Sequence, residues 1–293
     1  MPELPEVETI ARGLASRVTG DLIESVWLGS KPEPLKSPAA AIVDTLEGKR
    51  IAGVRRVGKH IVVDLATDRR RSRPSRSSRK RHSAFVDQGR STQTESQWIV
   101  HLGMTGQFVV CSAAAEIAKH THAIVKLASG RELRFVDPRR FGRLSVSAGR
   151  EFAAAGSEPL EVVLERFLDL FRGRKTPIKS ALLNQRLLSG VGNIYADESL
   201  FRAGIRPRRR VASLSRDQLR RLYRSVQQVL NEAISLGGSS ISDYVGADGA
   251  EGFFQLQHRV YGREGEPCLV CRTPVKRVVI AGRSSHYCPK CQK

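Results

Sequence analysis

The residues with the most chemical potential stand at the start of the chain, which begins MPELPEVET. A small residue after the initiator Met usually permits its removal, which would leave Pro2 as a free secondary amine. An α-amino group has a pKa of about 7.7–8.0, against about 10.4 for lysine, so it supplies the neutral amine that forms a Schiff base. Glu3 is adjacent, where it can move protons. Pro and Glu are also ordinary residues of a helix start, so the stretch alone leaves both interpretations open.

The cysteines give the most specific local pattern. Four of the five lie in the last 26 residues, spaced Cys268-x2-Cys271-x16-Cys288-x2-Cys291. Two CxxC turns can present four thiolates tetrahedrally, which predicts one Zn²⁺ with no open coordination position and hence a structural role. The fifth cysteine, Cys111, follows an apolar strand-like run and is expected to be a buried small hydrophobe.

Two further patterns are typical of nucleic-acid contacts. The turn Ser189-Gly-Val-Gly-Asn193 brings backbone N–H groups to a helix start, where a phosphate could bind, although such turns also serve as plain helix connectors. HLGMTG at 101–106 and DPRRFG at 137–142 set Met104, Arg139 and Phe141 in loops. Exposed side chains of these types can fill the gap left by an extruded base; the alternative is that they pack between domains.

The elements that must position these residues change along the chain. A helix is predicted from about Pro5 to Val18, and short alternating runs from about 20 to 147 predict an antiparallel sandwich or barrel. Apolar residues then recur every three or four positions, which predicts helices over 160–171, 177–188, 193–203 and 215–236. The two segments 275–280 and 283–287 between the cysteine pairs predict a β-hairpin.

Composition points to a polyanionic partner. The chain has 49 Lys+Arg and 29 Asp+Glu, a net charge of +20. Residues 67–97 are rich in Arg and Ser and predict a disordered insertion, either a phosphate-binding arm or a solvated insert. Subtracting its net +6 leaves +14, so the basic character belongs to the folded body. No apolar run reaches the length of a membrane span, and the start lacks a signal peptide's apolar core, so a cytoplasmic, nucleoid-associated location is expected.

Taken together, these motifs resemble the bacterial formamidopyrimidine-DNA glycosylase family, the 8-oxoguanine repair enzymes. The resemblance runs through PELPEVET, HLGMTG, DPRRFG, GVGNIYADE at 190–198, YGREGEPC at 261–268 and the terminal cysteines. It implies an α+β multidomain fold with an N-terminal helix and β-sandwich (1–148), a hinge linker (149–159), a helix–two-turn–helix domain (160–261) and a zinc-finger hairpin (262–293).

The resemblance also implies roles for individual residues. Pro2 would attack C1′ of the damaged nucleotide with Glu3 as general acid/base, Lys59 would serve β-elimination, and Arg283 would serve δ-elimination and contact a phosphate. Met104, Arg139 and Phe141 would fill the void left by the extruded base. The backbone contacts would come from His120, Lys175, Lys179 and Asn193, and a loop near 237–252 would cap the lesion. The implied partner is double-stranded DNA with oxidised bases or abasic sites, bound by a monomer with one structural zinc, without membrane or obligate protein partner.

Two other interpretations stay open. The sister endonuclease VIII type has the same fold but acts on oxidised pyrimidines; Leu4, where that group typically has Gly, and the long glycine-rich loop favour the purine enzyme. A non-catalytic, zinc-containing DNA-binding or damage-sensing protein would not need Pro2, Glu3 and Lys59 together. The 67–97 insertion is longer than the family's usual connection and is the main departure from its pattern.

Overall fold

A computed structural model of the chain describes residues 1–67, 94–149, 151–240, 246–247 and 251–293. The chain divides into two compact units. The sheet unit comprises Ala11–Arg55 and Ile61–Phe152, and the helical unit comprises Met1–Ile10, Arg56–His60 and Ala153–Lys293. None of the described helices combines the length and the apolar character that crossing a membrane requires.

The sheet unit contains two four-stranded sheets. One has the order β1 (Ile23–Leu28), β6 (Thr121–Leu127), β7 (Arg131–Val136) and β5 (Gln107–Ser112), with neighbouring strands antiparallel. The other has the order β2 (Lys49–Val57), β3 (His60–Thr67), β4 (Ser96–His101) and β8 (Arg143–Ala148). Trp98 of β4 meets Phe108 of β5 edge to face with ring centroids 5.1 Å apart, so apolar faces of the two sheets form a shared, sandwich-like core.

The helical unit is built on an apolar core of packed helices. Its helices are α3 (Leu164–Phe171), α4 (Ile178–Leu182), α5 (Asn193–Ala203) and α6 (Arg216–Ser235), with 3₁₀ turns at Val211–Ser213 and Phe254–Gln257. The first turn of α1 (Leu4–Val18) also belongs to this unit, and Leu4 is part of its core. A two-stranded antiparallel hairpin, β9 (Lys276–Ile280) and β10 (Arg283–Tyr287), ends the chain.

Several predicted elements need correction. Residues 39–46, expected within β structure, form helix α2 (Ala39–Leu46), because an alanine-rich run after Pro38 buries Ile42 and Leu46. Helix α3 starts at Leu164 rather than 160, since the residues after Pro159 form turns.

The predicted helix 177–188 is also wrong beyond Leu182. The Asn184 side chain accepts a bond from the Arg186 N–H, a local turn that competes with helical bonding.

Two other predictions change or lie partly outside the described residues. Cys111 is half-buried rather than buried, because it lies on β5 at the edge of its sheet, opposite Glu132. Thr67 ends β3 and residues 96–97 begin β4, so the insertion is shorter than predicted; residues 68–93 of it lie outside the described residues. Within the predicted lesion-capping loop, 241–245 and 248–250 also lie outside them.

Candidate active site

The start of the chain is anchored inside the helical unit by Glu6. Its carboxylate accepts the N–H of Glu3 (2.8 Å), the N–H of Ser239 (2.8 Å) and the hydroxyl of Tyr195. Glu6 is buried, and burial raises its pKa, with the three donors acting in the opposite direction. Because these donors come from residues far apart in sequence, Glu6 fixes the first turn of α1 to α5 and to the start of the 237–252 loop.

Glu3 lies against the glycine turn that precedes α5. The Leu4 N–H donates to the Gly190 carbonyl (3.0 Å), and the Ile194 N–H donates to Glu3 Oε1 (3.2 Å). A Cβ on Gly192 would stand 2.1 Å from the Glu3 carboxyl carbon, so the close approach requires glycine there. The turn predicted to cradle a phosphate therefore also receives the Glu3 carboxyl at the positive end of a helix.

The electrostatics of Glu3 suit proton transfer. Burial raises its pKa to about 7, with Lys59 opposing the shift and Glu6 adding to it. Its second oxygen, Oε2, is buried and has no hydrogen-bond partner among the described residues. Glu3 can therefore be protonated or ionised near neutral pH, with one oxygen still available to a reacting group.

Pro2 is buried beside Glu3, whereas Met1 is exposed. Met1 is thus accessible, and Pro2 is buried next to the Glu3 carboxyl. The chain start is placed by the same bonds that hold Glu3 and Leu4.

Lys59 is held by a tight turn at the end of β2. Arg56 supports this turn: its guanidinium donates to Glu8 (2.7 Å), to Glu158 (2.8 Å) and to the Gly58 carbonyl (3.2 Å). Gly58 has φ +60° and lies against Ser189, where a Cβ would meet Ser189 Oγ at 2.2 Å. Burial lowers the pKa of Lys59; Glu3 counteracts this and Arg283 adds to it. Lys59, Glu3 and Arg283 therefore share one electrostatic environment.

Arg283 is the first residue of β10 and is exposed. The hairpin that carries it leads directly into the second cysteine pair. The four sulfur atoms of Cys268, Cys271, Cys288 and Cys291 all lie within 4.8 Å of one another. Tetrahedral Zn–S bonds of about 2.3 Å place sulfurs about 3.8 Å apart, so the quartet fits one structural zinc. A small core formed by Phe201, Val260 and Val275 packs against these cysteines.

The predicted backbone-contact residues of this unit have different environments. Lys175 is exposed, and Asn193, half-buried, donates to Ser284 Oγ (3.3 Å). Lys179 was expected to contact DNA directly, but the structure buries its ammonium completely, 2.6 Å from Asp197 Oδ1 and 2.6 Å from the Ser284 carbonyl. Burial lowers the pKa of Lys179, while Asp197 counteracts the shift. As folded, Lys179 is committed to protein partners.

The predicted wedge residues lie together in the sheet unit. Met104 and Phe141 are 41% and 52% exposed, and the Arg139 guanidinium lies 4.8 Å from the centre of the Phe141 ring. A Cβ on Gly103, whose φ is +65°, would lie 2.5 Å from the Phe141 carbonyl carbon, so the two loops touch.

Asp137 organises both wedge loops, and sequence reasoning did not single it out. Its buried carboxylate accepts the Thr105 hydroxyl (2.6 Å), the Arg139 N–H (3.2 Å) and the Gly142 N–H (2.7 Å). His120 is exposed in the same unit, with φ +68°, and its carbonyl accepts the Asp137 N–H (3.0 Å).

The chain matches three family models of known proteins. Family models match in order: the formamidopyrimidine-DNA glycosylase N-terminal domain over residues 1–144, its H2TH domain over 156–245, and the zinc finger found in FPG and IleRS over 265–293. The chain belongs to the formamidopyrimidine-DNA glycosylase family. Membership makes it a DNA glycosylase of oxidised-base repair with AP lyase activity, built from an N-terminal sandwich, a helix–two-turn–helix domain and a zinc finger that carries one structural zinc.

Individual relatives match over their whole length. A formamidopyrimidine-DNA glycosylase of Solibacter usitatus is 41% identical over 100% of both chains. The MutM (Fpg) structure from Thermus thermophilus has a TM-score of 0.81 and 40% identity, covering 99% of this chain and 98% of its own. A point mutant of Lactococcus lactis Fpg, in complex with Fapy-dG-containing DNA, has a TM-score of 0.84 and 30% identity over 100% of both chains. Lactococcus lactis Fpg has also been solved with abasic-site DNA and with oxidised-pyrimidine DNA.

Sequence reasoning missed several residues that build the site. Three buried residues belong to this group: Tyr195 and Ser239 bind Glu6, and Asp197 pairs with Lys179. No local sequence pattern indicates any of them. Glu6 had a signal, since it follows Glu3 by three residues at a helix start, the spacing at which a side chain reaches back to an N-terminal N–H.

Proposed function

We propose that the chain is a bifunctional DNA glycosylase and AP lyase that excises oxidised purines, 8-oxoguanine and formamidopyrimidines, through a Schiff base at Pro2. The observation that carries this proposal is the setting of Glu3. It is next to Pro2, buried at the start of α5, with a pKa of about 7 and one carboxyl oxygen without a partner among the described residues. Unlike Glu6, whose oxygens accept three bonds that anchor the chain start, Glu3 keeps one oxygen with which it can exchange a proton.

The first reaction, base excision, replaces the bond between C1′ and the damaged base with a bond between C1′ and the Pro2 nitrogen. The neutral Pro2 nitrogen attacks C1′, the bond from C1′ to the damaged base breaks, and the base leaves with a proton. The ring then opens as the C1′–O4′ bond breaks, Glu3 gives its proton to O4′, and the nitrogen is left in a Schiff base with C1′. The enzyme and the strand are now covalently joined.

The second reaction uses that Schiff base as an electron sink. Loss of a proton from C2′ converts the iminium into an enamine, and the enamine electrons then expel the 3′ phosphate as the C3′–O bond breaks and a conjugated iminium forms. A second proton loss then releases the 5′ phosphate, and water frees the sugar from Pro2. Lys59, whose pKa is lowered by burial, is the base we assign to β-elimination, and Arg283 is the residue we assign to δ-elimination and to the phosphate.

DNA binding would draw on both units. Lys175, Asn193 and His120 are accessible or half-buried and suit phosphate contacts, in keeping with the basic folded body. Met104, Arg139 and Phe141 form an exposed cluster of the kind that fills a space left by an extruded base. We place the activity in the cytoplasm, at the nucleoid, where such a substrate lies.

The lesion class is the finer part of the proposal. Complexes of the Lactococcus lactis enzyme with Fapy-dG-containing DNA support a purine lesion, and its complex with oxidised-pyrimidine DNA makes a pyrimidine the second candidate. Borohydride trapping on duplexes with 8-oxoguanine opposite cytosine, or with a 5-hydroxypyrimidine, separates them. We expect a covalent adduct predominantly with 8-oxoguanine, and none with a Pro2→Gly variant. A pyrimidine-only adduct would assign the chain the other substrate, and no adduct with any duplex would overturn the enzymatic mechanism.

A further inference from the structure

A buried charged cluster lies behind the strand that carries Arg283. Lys179 of α4 and Asp197 of α5 form a fully buried ion pair, with 2.6 Å between Nζ and Oδ1. The other oxygen of Asp197 accepts the backbone N–H of His286 (2.8 Å) and lies 3.3 Å from its Nδ1. All three residues are buried and belong to the helical unit.

This cluster holds β10 at two points of its backbone. Lys179 donates to the carbonyl of Ser284 (2.6 Å), the residue after Arg283, and Asp197 accepts from His286, two residues further along. Asn193 adds a side-chain bond to Ser284 Oγ (3.3 Å). These bonds to β10 therefore begin one residue from Arg283.

We propose that Asp197 is a positioning residue for Arg283. Through Lys179 and through the His286 N–H, Asp197 fixes the backbone of β10. The guanidinium of Arg283 is thereby held where it can contact the phosphate that leaves in δ-elimination. The inference rests on the proposed function of Arg283. It also assigns Lys179 a role other than direct phosphate contact.

The energetics favour a positioning role over a stabilising one. Two charges removed from water lose hydration that their mutual attraction repays only in part, and apolar side chains of similar volume often serve stability equally well. An ion pair contributes a fixed geometry instead, because each charged group is held where it can bind only certain partners. Here Lys179 and Asp197 each form a further hydrogen bond to the backbone of β10.

The test uses the full-length, zinc-loaded protein and an abasic-site duplex. It measures the ratio of β-elimination product to β,δ-elimination product alongside the yield of borohydride-trapped adduct. We expect Asp197→Asn to trap DNA about as well as the wild type but to lower δ-elimination about tenfold, because a small misplacement of a reacting group costs that much or more. A merely structural loss would lower the trapped adduct and both products together.

Two companion variants keep the test decisive. The double variant Lys179→Met with Asp197→Asn leaves no unpaired buried charge and keeps an acceptor for the His286 N–H, so it should fold and still lose δ-elimination. Glu232→Gln breaks the ion pair between Arg202 of α5 and Glu232 of α6, and it should leave the product ratio unchanged. An unchanged ratio in the folded double variant, or an equal change in Glu232→Gln, would overturn the inference. Failure of the wild type to trap DNA would instead reject the proposed function.

Discussion

The carboxyl group of Glu3 occupies the space that a side chain on Gly192 would fill. A Cβ at residue 192 would stand 2.1 Å from the Glu3 carboxyl carbon and 2.4 Å from Oε1, although Gly192 has an extended backbone (φ −130°) that any residue could adopt. Glycine is therefore needed for space rather than for conformation. The two residues, 189 positions apart, define one site in which the Glu3 carboxyl lies at the start of α5.

Gly192→Ala should displace the Glu3 carboxyl and slow base excision. We expect a fall of roughly 100-fold in the single-turnover rate, since misplacing a catalytic group by about 1 Å costs that much. The matched control is Gly53→Ala, where an added Cβ meets nothing within 4 Å. Wild-type excision by Gly192→Ala would show that the position of Glu3 does not govern the reaction.

Glu3 should make the protein less stable as the pH rises. Its pKa is raised in the folded state to about 7 from an ordinary 4.5, so between these values the native state binds more protons than the unfolded state. The contribution to the free energy of unfolding is full below pH 4.5 and is lost as the pH rises through 7. Glu3→Gln should therefore be the more stable protein at pH 8, by up to about 3 kcal/mol, with little gain at pH 4.5.

Denaturant unfolding at several pH values measures this difference. Glu161→Gln, which changes an exposed carboxylate of the same unit, is the control for the loss of one carboxyl group. If the variant and the wild type follow parallel curves, Glu3 has an ordinary pKa and its proposed proton transfer near neutrality loses its basis.

Removal of zinc should disable the hairpin while sparing the sheet unit. The cysteine quartet closes a small core that holds β9 and β10, so chelation or Cys271→Ser should release the constraint on Arg283. We expect one zinc per chain by metal analysis, with loss of DNA affinity and of δ-elimination on chelation. Cys111→Ser, which alters the cysteine outside the quartet, should keep both metal and activity; a full metal complement in Cys271→Ser would contradict the assignment.

Phe141 should matter for lesion-containing DNA and little for folding. Half of its surface is exposed, and its ring pairs with the Arg139 guanidinium. Phe141→Ala should weaken binding to an abasic-site duplex by about 1–3 kcal/mol, the worth of one stacked base, with almost no change in the unfolding midpoint. Fluorescence anisotropy titration compares it with Trp27→Ala, an aromatic residue of the same unit that is 50% exposed. Equal losses in the two variants would show a general surface effect instead of a wedge.

Helix α5 and the C-terminal hairpin could be predicted from sequence, because nearby residues determine where they begin and end. Helix α5 was predicted over its observed span of 193–203, because a glycine turn precedes it and Gly204, in the left-handed region, ends it. The hairpin strands followed from the cysteine spacing in the same way. Helix α2 was missed because eight residues are too few for a clear helical period, and its surroundings alternate as strands do.

The site was only partly predictable, for a physical reason. Pro2, Glu3 and the cysteines stand in compact motifs, but the contacts that tune them span the chain. Glu6 meets Tyr195 and Ser239, which are 189 and 233 residues away, and Lys179 reaches Ser284 across 105. Such pairs are chosen by packing of the folded chain, so no sequence window could show that Lys179 would be buried and bonded to β10.

Mapping the trapped adduct identifies the nucleophile itself. After borohydride reduction on an 8-oxoguanine duplex, nuclease and protease digestion followed by mass spectrometry locates the modified residue. We expect a chain that has lost Met1 and carries the sugar remnant on the nitrogen of Pro2. An adduct on Lys59, or a trapped chain that retains Met1, would contradict it.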